Sequence, residues 1–123
     1  MKSISVLAVI ISLSFFTNTS SFGAEMETVE IQTSALCYTC QENLEKTFAF
    51  TKGVKDFDLD VKTGLVKVTY NPKKTDPAQI RMAIAKTGYD ADDVKADPKA
   101  FDKLDDCCKL ERDLVNQNKH NKN

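Results

Sequence analysis

Cys37 and Cys40 stand three positions apart in Ser34-Ala35-Leu36-Cys37-Tyr38-Thr39-Cys40. Two thiols at this spacing suit soft-metal ligation or thiol–disulfide exchange. Thr39 followed by Glu42 fits a capping box, which predicts a helix with Cys40 in its first turn and Cys37 in the loop before it. Both sulfurs can then face one point. Free backbone N–H groups and the positive dipole end at a helix start favour thiolate, the form that binds metal or attacks a disulfide.

The remaining thiols, Cys107 and Cys108, are adjacent in the chain. Four cysteines in a small exported protein would usually mean two structural bridges. Here the spacing gives two tight pairs, and a bridge within either would close too short a loop to constrain the unfolded chain much. A cross-link between the pairs stays open. The sequence shows no Gly-rich phosphate cradle and no carboxylate–histidine cluster beside the thiols, so it does not read as an enzyme. With 17 basic against 18 acidic residues there is no basic excess to hold nucleic acid. Asp56, Asp58 and Asp60 lack the turn glycine and terminal Glu of a calcium loop and read as a solvated strand face.

The elements that must position the thiols follow from periodicity. Val29 and Ile31 alternate with Glu30 and Gln32 as a half-buried strand, and Leu44 and Phe48 then recur at helical spacing until Gly53. Phe57, Leu59 and Val61 alternate with aspartates, the turn Lys62-Thr63-Gly64 follows, and Val66, Val68 and Tyr70 alternate in turn, which makes a hairpin. Its outward faces carry opposite charge, Asp against Lys. Asp76-Pro77-Ala78-Gln79 opens a second helix with the apolar stripe Ile80, Ala83 and Ile84, closed by Gly88. A short polar strand is expected over Tyr89 to Val94. This order predicts an α+β, ferredoxin-like βαββαβ sandwich, with a four-stranded antiparallel sheet and two helices on one face.

From Thr28 to about Val94 the chain resembles the heavy-metal-associated domain family, which includes copper chaperones, metal-binding extensions of cation-pumping ATPases and periplasmic mercury-binding proteins. The likeness rests on CxxC at a helix start, Gly53-Val54, the hairpin, the segment Asp76 to Ile84, and Lys86-Thr87-Gly88-Tyr89. It implies that Cys37 and Cys40 are metal ligands and that Tyr89 shields the site. The family runs Gly-Met-x before its CxxC, whereas this chain has Ser34, Ala35 and Leu36. With Ala35 in place of the buried Met, Leu36 is expected to do the packing. The partner so implied is a membrane metal transporter or another metal carrier.

Residues 1–23 join Lys2 to an apolar run from Ile4 to Phe16 and then small residues, without an acidic side chain, as in a secretory signal peptide. The run is too short for a membrane span. Cleavage is expected after Gly23, leaving roughly 100 residues. The resulting expectation is a soluble, monomeric, exported protein, periplasmic in a bacterium. Its parts are a domain over 24–96, a helical extension over 97–115 and a disordered tail over 116–123.

In the extension Asp97-Pro98 starts a helix, and Ala100, Leu104, Cys107, Leu110 and Leu114 follow helical spacing. Two readings fit its thiols. Cys107 is a core residue with Cys108 incidental, or both are additional metal ligands. Cys37 and Cys40 alone suit Cu(I) or Hg(II), while Zn(II) or Cd(II) need more sulfur. The function expected is a metallochaperone or scavenger that binds and hands over such a cation. The alternative is a thiol–disulfide redox protein using the same CxxC.

Overall fold

A computed structural model describes residues 25–121. The expected signal peptide, residues 1–23, lies outside the described residues. The elements are β1 (Glu27–Gln32), α1 (Tyr38–Ala49), β2 (Val54–Asp60), β3 (Leu65–Tyr70), α2 (Pro77–Thr87), α3 (Pro98–Asp102) and α4 (Asp106–His120). The strands form one antiparallel sheet in the order β1-β3-β2. Alternation along each strand separates its two faces. Ile31, Val66 and Leu59 make one cross-strand row on the inner face, and Val29, Val68 and Phe57 make the next. On the outer face Lys67 lies opposite both Glu30 and Asp58.

α1 and α2 cover the inner face. Cys40, Leu44 and Phe48 recur every fourth residue along α1, and Ile80 and Ile84 do so along α2, so each helix turns one buried stripe to the sheet. These side chains join Ile31, Val66, Val68 and Tyr70 in a single core. Phe48 stacks at a tilt on Phe57, with ring centroids 5.0 Å apart. The Asp76 carboxylate caps α2 by accepting the Gln79 N–H at 2.9 Å, and Gly88 ends the helix in the left-handed conformation, φ 112°.

Two expectations are corrected within the domain. The fourth strand is absent among the described residues, and Tyr89 to Val94 instead turns beside the end of β1. Ala91 and Val94 exchange N–H···O bonds of 2.9 Å, while Ala91 bridges Thr33. Asp92 takes a left-handed φ of 52°, which aspartate tolerates and a strand does not. The helix carrying Cys40 begins two residues early, at Tyr38, and its cap is Cys37, so Thr39 lies inside it.

The extension is also not one helix. α3 ends at Asp102 and α4 restarts at Asp106 behind Asp105, which shifts the helical phase. Cys108, and not Cys107, therefore faces inward, while Leu110 is exposed. α4 then continues to His120, through the stretch expected to be disordered. Among the described residues no helix is long and apolar enough to cross a membrane.

Candidate metal centre

The loop from β1 to α1 is held from both sides. Thr33 donates its backbone N–H and its hydroxyl to the Gly64 carbonyl at 2.9 and 2.7 Å, and the same hydroxyl oxygen accepts the Ala35 N–H at 3.1 Å. Ser34 and Asp90 exchange two bonds, Ser34 N–H to the Asp90 carbonyl at 3.3 Å and Asp90 N–H to the Ser34 hydroxyl at 2.9 Å. Thr33 and Ser34 are thus buried without an unmet polar group. Ala35 is fully buried where the family carries Met. Leu36 is half-exposed and lies against the hairpin turn at Gly64, outside the main core.

From this loop the chain enters α1. Cys37 is extended (φ −140°, ψ 165°), and its sulfur accepts the Cys40 N–H at 3.3 Å, so a candidate ligand also caps the helix. Cys40 sits on the buried stripe of α1. The two sulfurs are 2.7 Å apart.

The extension adds to this pair. The Cys108 sulfur lies 2.9 Å from that of Cys40 and 3.5 Å from that of Cys37. These three atoms are all within 4.8 Å of one another. Cys107 is exposed, with its sulfur 3.9 Å from Cys37 and outside the mutually close trio. All four thiols are free.

Tyr89 closes the buried side. Its hydroxyl accepts from the Asn43 amide at 2.9 Å and points to the Cys108 sulfur at 3.6 Å. Asn43 drew no attention in the sequence, although its place three residues after Cys40 puts it on the same side of the helix.

At Cys37 the expected preference for thiolate is opposed. Burial is the largest influence on Cys37 and raises its pKa; the hydrogen bond with the Cys40 thiol adds to this, and the Cys40 N–H opposes it. Cys108 is pushed well up, first by burial and then by its contact with Cys40. Burial likewise raises Tyr89. The resting cluster is therefore neutral at these groups, and an incoming cation must displace protons.

The donor set fits a soft cation. Zinc–sulfur bonds of about 2.3 Å in a trigonal arrangement would place sulfurs about 4.0 Å apart, so the three sulfurs are close enough for one ion to reach them all.

Residues 33–90 match the family model described as heavy-metal-associated domain. A copper-exporting P-type ATPase of Staphylococcus aureus is 35% identical over 71 residues, 57% of this chain. The chain spans 9% of that ATPase's length. Among solved structures, a CopZ metallochaperone is 26% identical with a TM-score of 0.50, and the match covers 53% of this chain and 98% of that one. Oxidised MerP from Ralstonia metallidurans is 25% identical with a TM-score of 0.51, covering 55% and 94% respectively.

Proposed function

Because residues 33–90 form a heavy-metal-associated domain, we propose that this chain is an exported carrier of a soft cation, Cu(I) or Hg(II), held by Cys37 and Cys40. The observation that carries this reading is the pair of free sulfurs 2.7 Å apart at the start of α1. Sulfur ligation at low coordination number suits these ions. On binding, each thiol gives its proton to water as its sulfur–metal bond forms. Handover is ligand substitution without change of oxidation state: a thiolate of the acceptor bonds the ion, and a sulfur of this chain leaves and takes up a proton.

The recipient is a membrane metal transporter or another carrier. That proposal is supported by the likeness to part of a copper-exporting ATPase and to a metallochaperone. The signal-like sequence of residues 1–23 supports export. Thiol–disulfide exchange is the second reading, favoured by the short Cys37–Cys40 separation. It is opposed by the raised Cys37 pKa, which leaves little thiolate to attack a disulfide.

Anaerobic titration of the reduced protein with Cu(I) and with Hg(II), beside an insulin-reduction assay, separates the two. The carrier reading expects tight binding that is lost in the Cys37→Ser/Cys40→Ser variant. Equal affinity in parent and variant would remove these residues from the site. Strong reductase activity without tight binding would favour the redox reading.

A further inference from the structure

We infer that α4 completes the site by supplying Cys108 as a third sulfur ligand, so that the cation is bound by Cys37, Cys40 and Cys108 together. The inference rests on the carrier reading and extends it to a segment outside the matched span of 33–90.

A buried cysteine is usually a small hydrophobe packed among carbon atoms. Cys108 is 1% exposed and belongs to the core, but its sulfur also has three polar neighbours. Two are the sulfurs of Cys40 and Cys37, and the third is the Tyr89 hydroxyl. The change of helical phase between α3 and α4 is what turns this thiol inward and leaves its neighbour Cys107 outside.

The extension is also fixed where it must be to deliver a ligand. Asp97 donates its N–H to the Ala85 carbonyl at 2.9 Å, and Ala96 donates to the Asp90 carboxylate at 2.9 Å. Leu104 packs on the core. From α4, Arg112 reaches the same Asp90 carboxylate at 3.6 Å and lies over the Phe101 ring, 4.3 Å from its centroid. Asp90 in turn is bonded to Ser34 in the loop that leads to Cys37. One residue thus links the loop of the first two thiols to the helix of the third.

Binding would deprotonate three thiols, with each proton passing to water as its sulfur bonds the ion and no change in oxidation state. Three sulfurs fall one short of the tetrahedral set that Zn(II) prefers. Hg(II) and Cu(I), which accept low coordination by sulfur, are the cations this arrangement selects.

The test is X-ray absorption of the reduced full chain loaded anaerobically with one equivalent of Hg(II). The expected result is three sulfurs around the ion in the parent, three in Cys107→Ser, and two in both Cys108→Ser and Cys108→Ala. Circular dichroism of the metal-free variants checks their fold, and the counts in the parent and in Cys107→Ser together decide the question even if both Cys108 variants unfold. Two sulfurs in the parent, three retained in a folded Cys108 variant, or loss of one in Cys107→Ser would each overturn the inference. If the parent binds no Hg(II), or the Cys37→Ser/Cys40→Ser variant matches its affinity, the carrier reading fails and takes the third ligand with it. Two sulfurs supplied by Cys37 and Cys40 would leave that reading standing.

Discussion

At Cys37 two effects compete for one proton. The Cys40 N–H favours thiolate, while burial and the neighbouring thiol favour the neutral form and prevail. Cys108 is shifted the same way, further from its ordinary value of 9.0. A thiol whose pKa is higher folded than unfolded contributes stability that is complete below the unfolded value and is lost as pH rises toward the folded one. The reduced, metal-free protein should therefore hold its melting temperature near neutral pH and lose it progressively above about pH 9. Thermal unfolding across that range would show the fall, and Cys108→Ala should flatten it. A melting temperature that rises with alkalinity would contradict the assigned direction. Cys37 also shows why its capping role was missed. Ser, Thr, Asp and Asn announce a cap in sequence, and Thr39 offered that pattern two residues late.

The elements differ in how openly their sequences declare them. α2 is legible because Asp76, Pro77 and Gly88 are side-chain requirements of its two ends. The hairpin is legible because its alternation and its turn agree. At Gly64, φ is 74° and a Cβ would overlap the Thr33 carbonyl, so the same glycine shapes both the turn and the loop leading to the thiols. Gly64→Ala should cost about 1–3 kcal/mol in chemical denaturation and weaken Cu(I) binding, whereas Thr63→Ala, lacking that backbone conflict, should cost less. The expected fourth strand failed because Asp90, Asp92 and Asp93 prefer turns, and the local Ala91–Val94 pairing forms instead of a ladder along β1. The extension misled in another way. Ala100, Leu104 and Cys107 read as one continuous stripe, and periodicity alone could not show that Asp105 restarts the helix.

Across the whole molecule the domain and its extension meet at Asp90 and Gly88. Asp90 accepts Ala96 and faces Arg112, a pair with side chains 16% and 23% exposed. Such a partly screened contact is worth about 1 kcal/mol or less, enough to bias a docked helix without locking it. Arg112→Ala should accordingly speed alkylation of Cys108, followed by mass spectrometry under native conditions, while exposed Cys107 stays fast in both proteins. An unchanged Cys108 rate would mean that other contacts hold α4. Gly88 is closely covered: a Cβ there would come within 3.0 Å of Phe101 N and Leu104 Cδ1, and φ is 112°. Gly88→Ala should destabilise the protein and, by pushing on α3, raise Cys108 labelling more than Cys107 labelling.

The bonds from Asp97 to Ala85 and from Ala96 to Asp90 tether the extension shortly before Cys108. A ligand delivered from so short a leash has an effective concentration of about millimolar or more, whatever the protein concentration. Dilution cannot strip it away, as it would strip a thiol borrowed from a second molecule. A small thiol in the surroundings must match that local concentration to displace it. The loaded protein should therefore keep one absorption spectrum across a wide dilution series, and change it only as added thiol approaches the millimolar range.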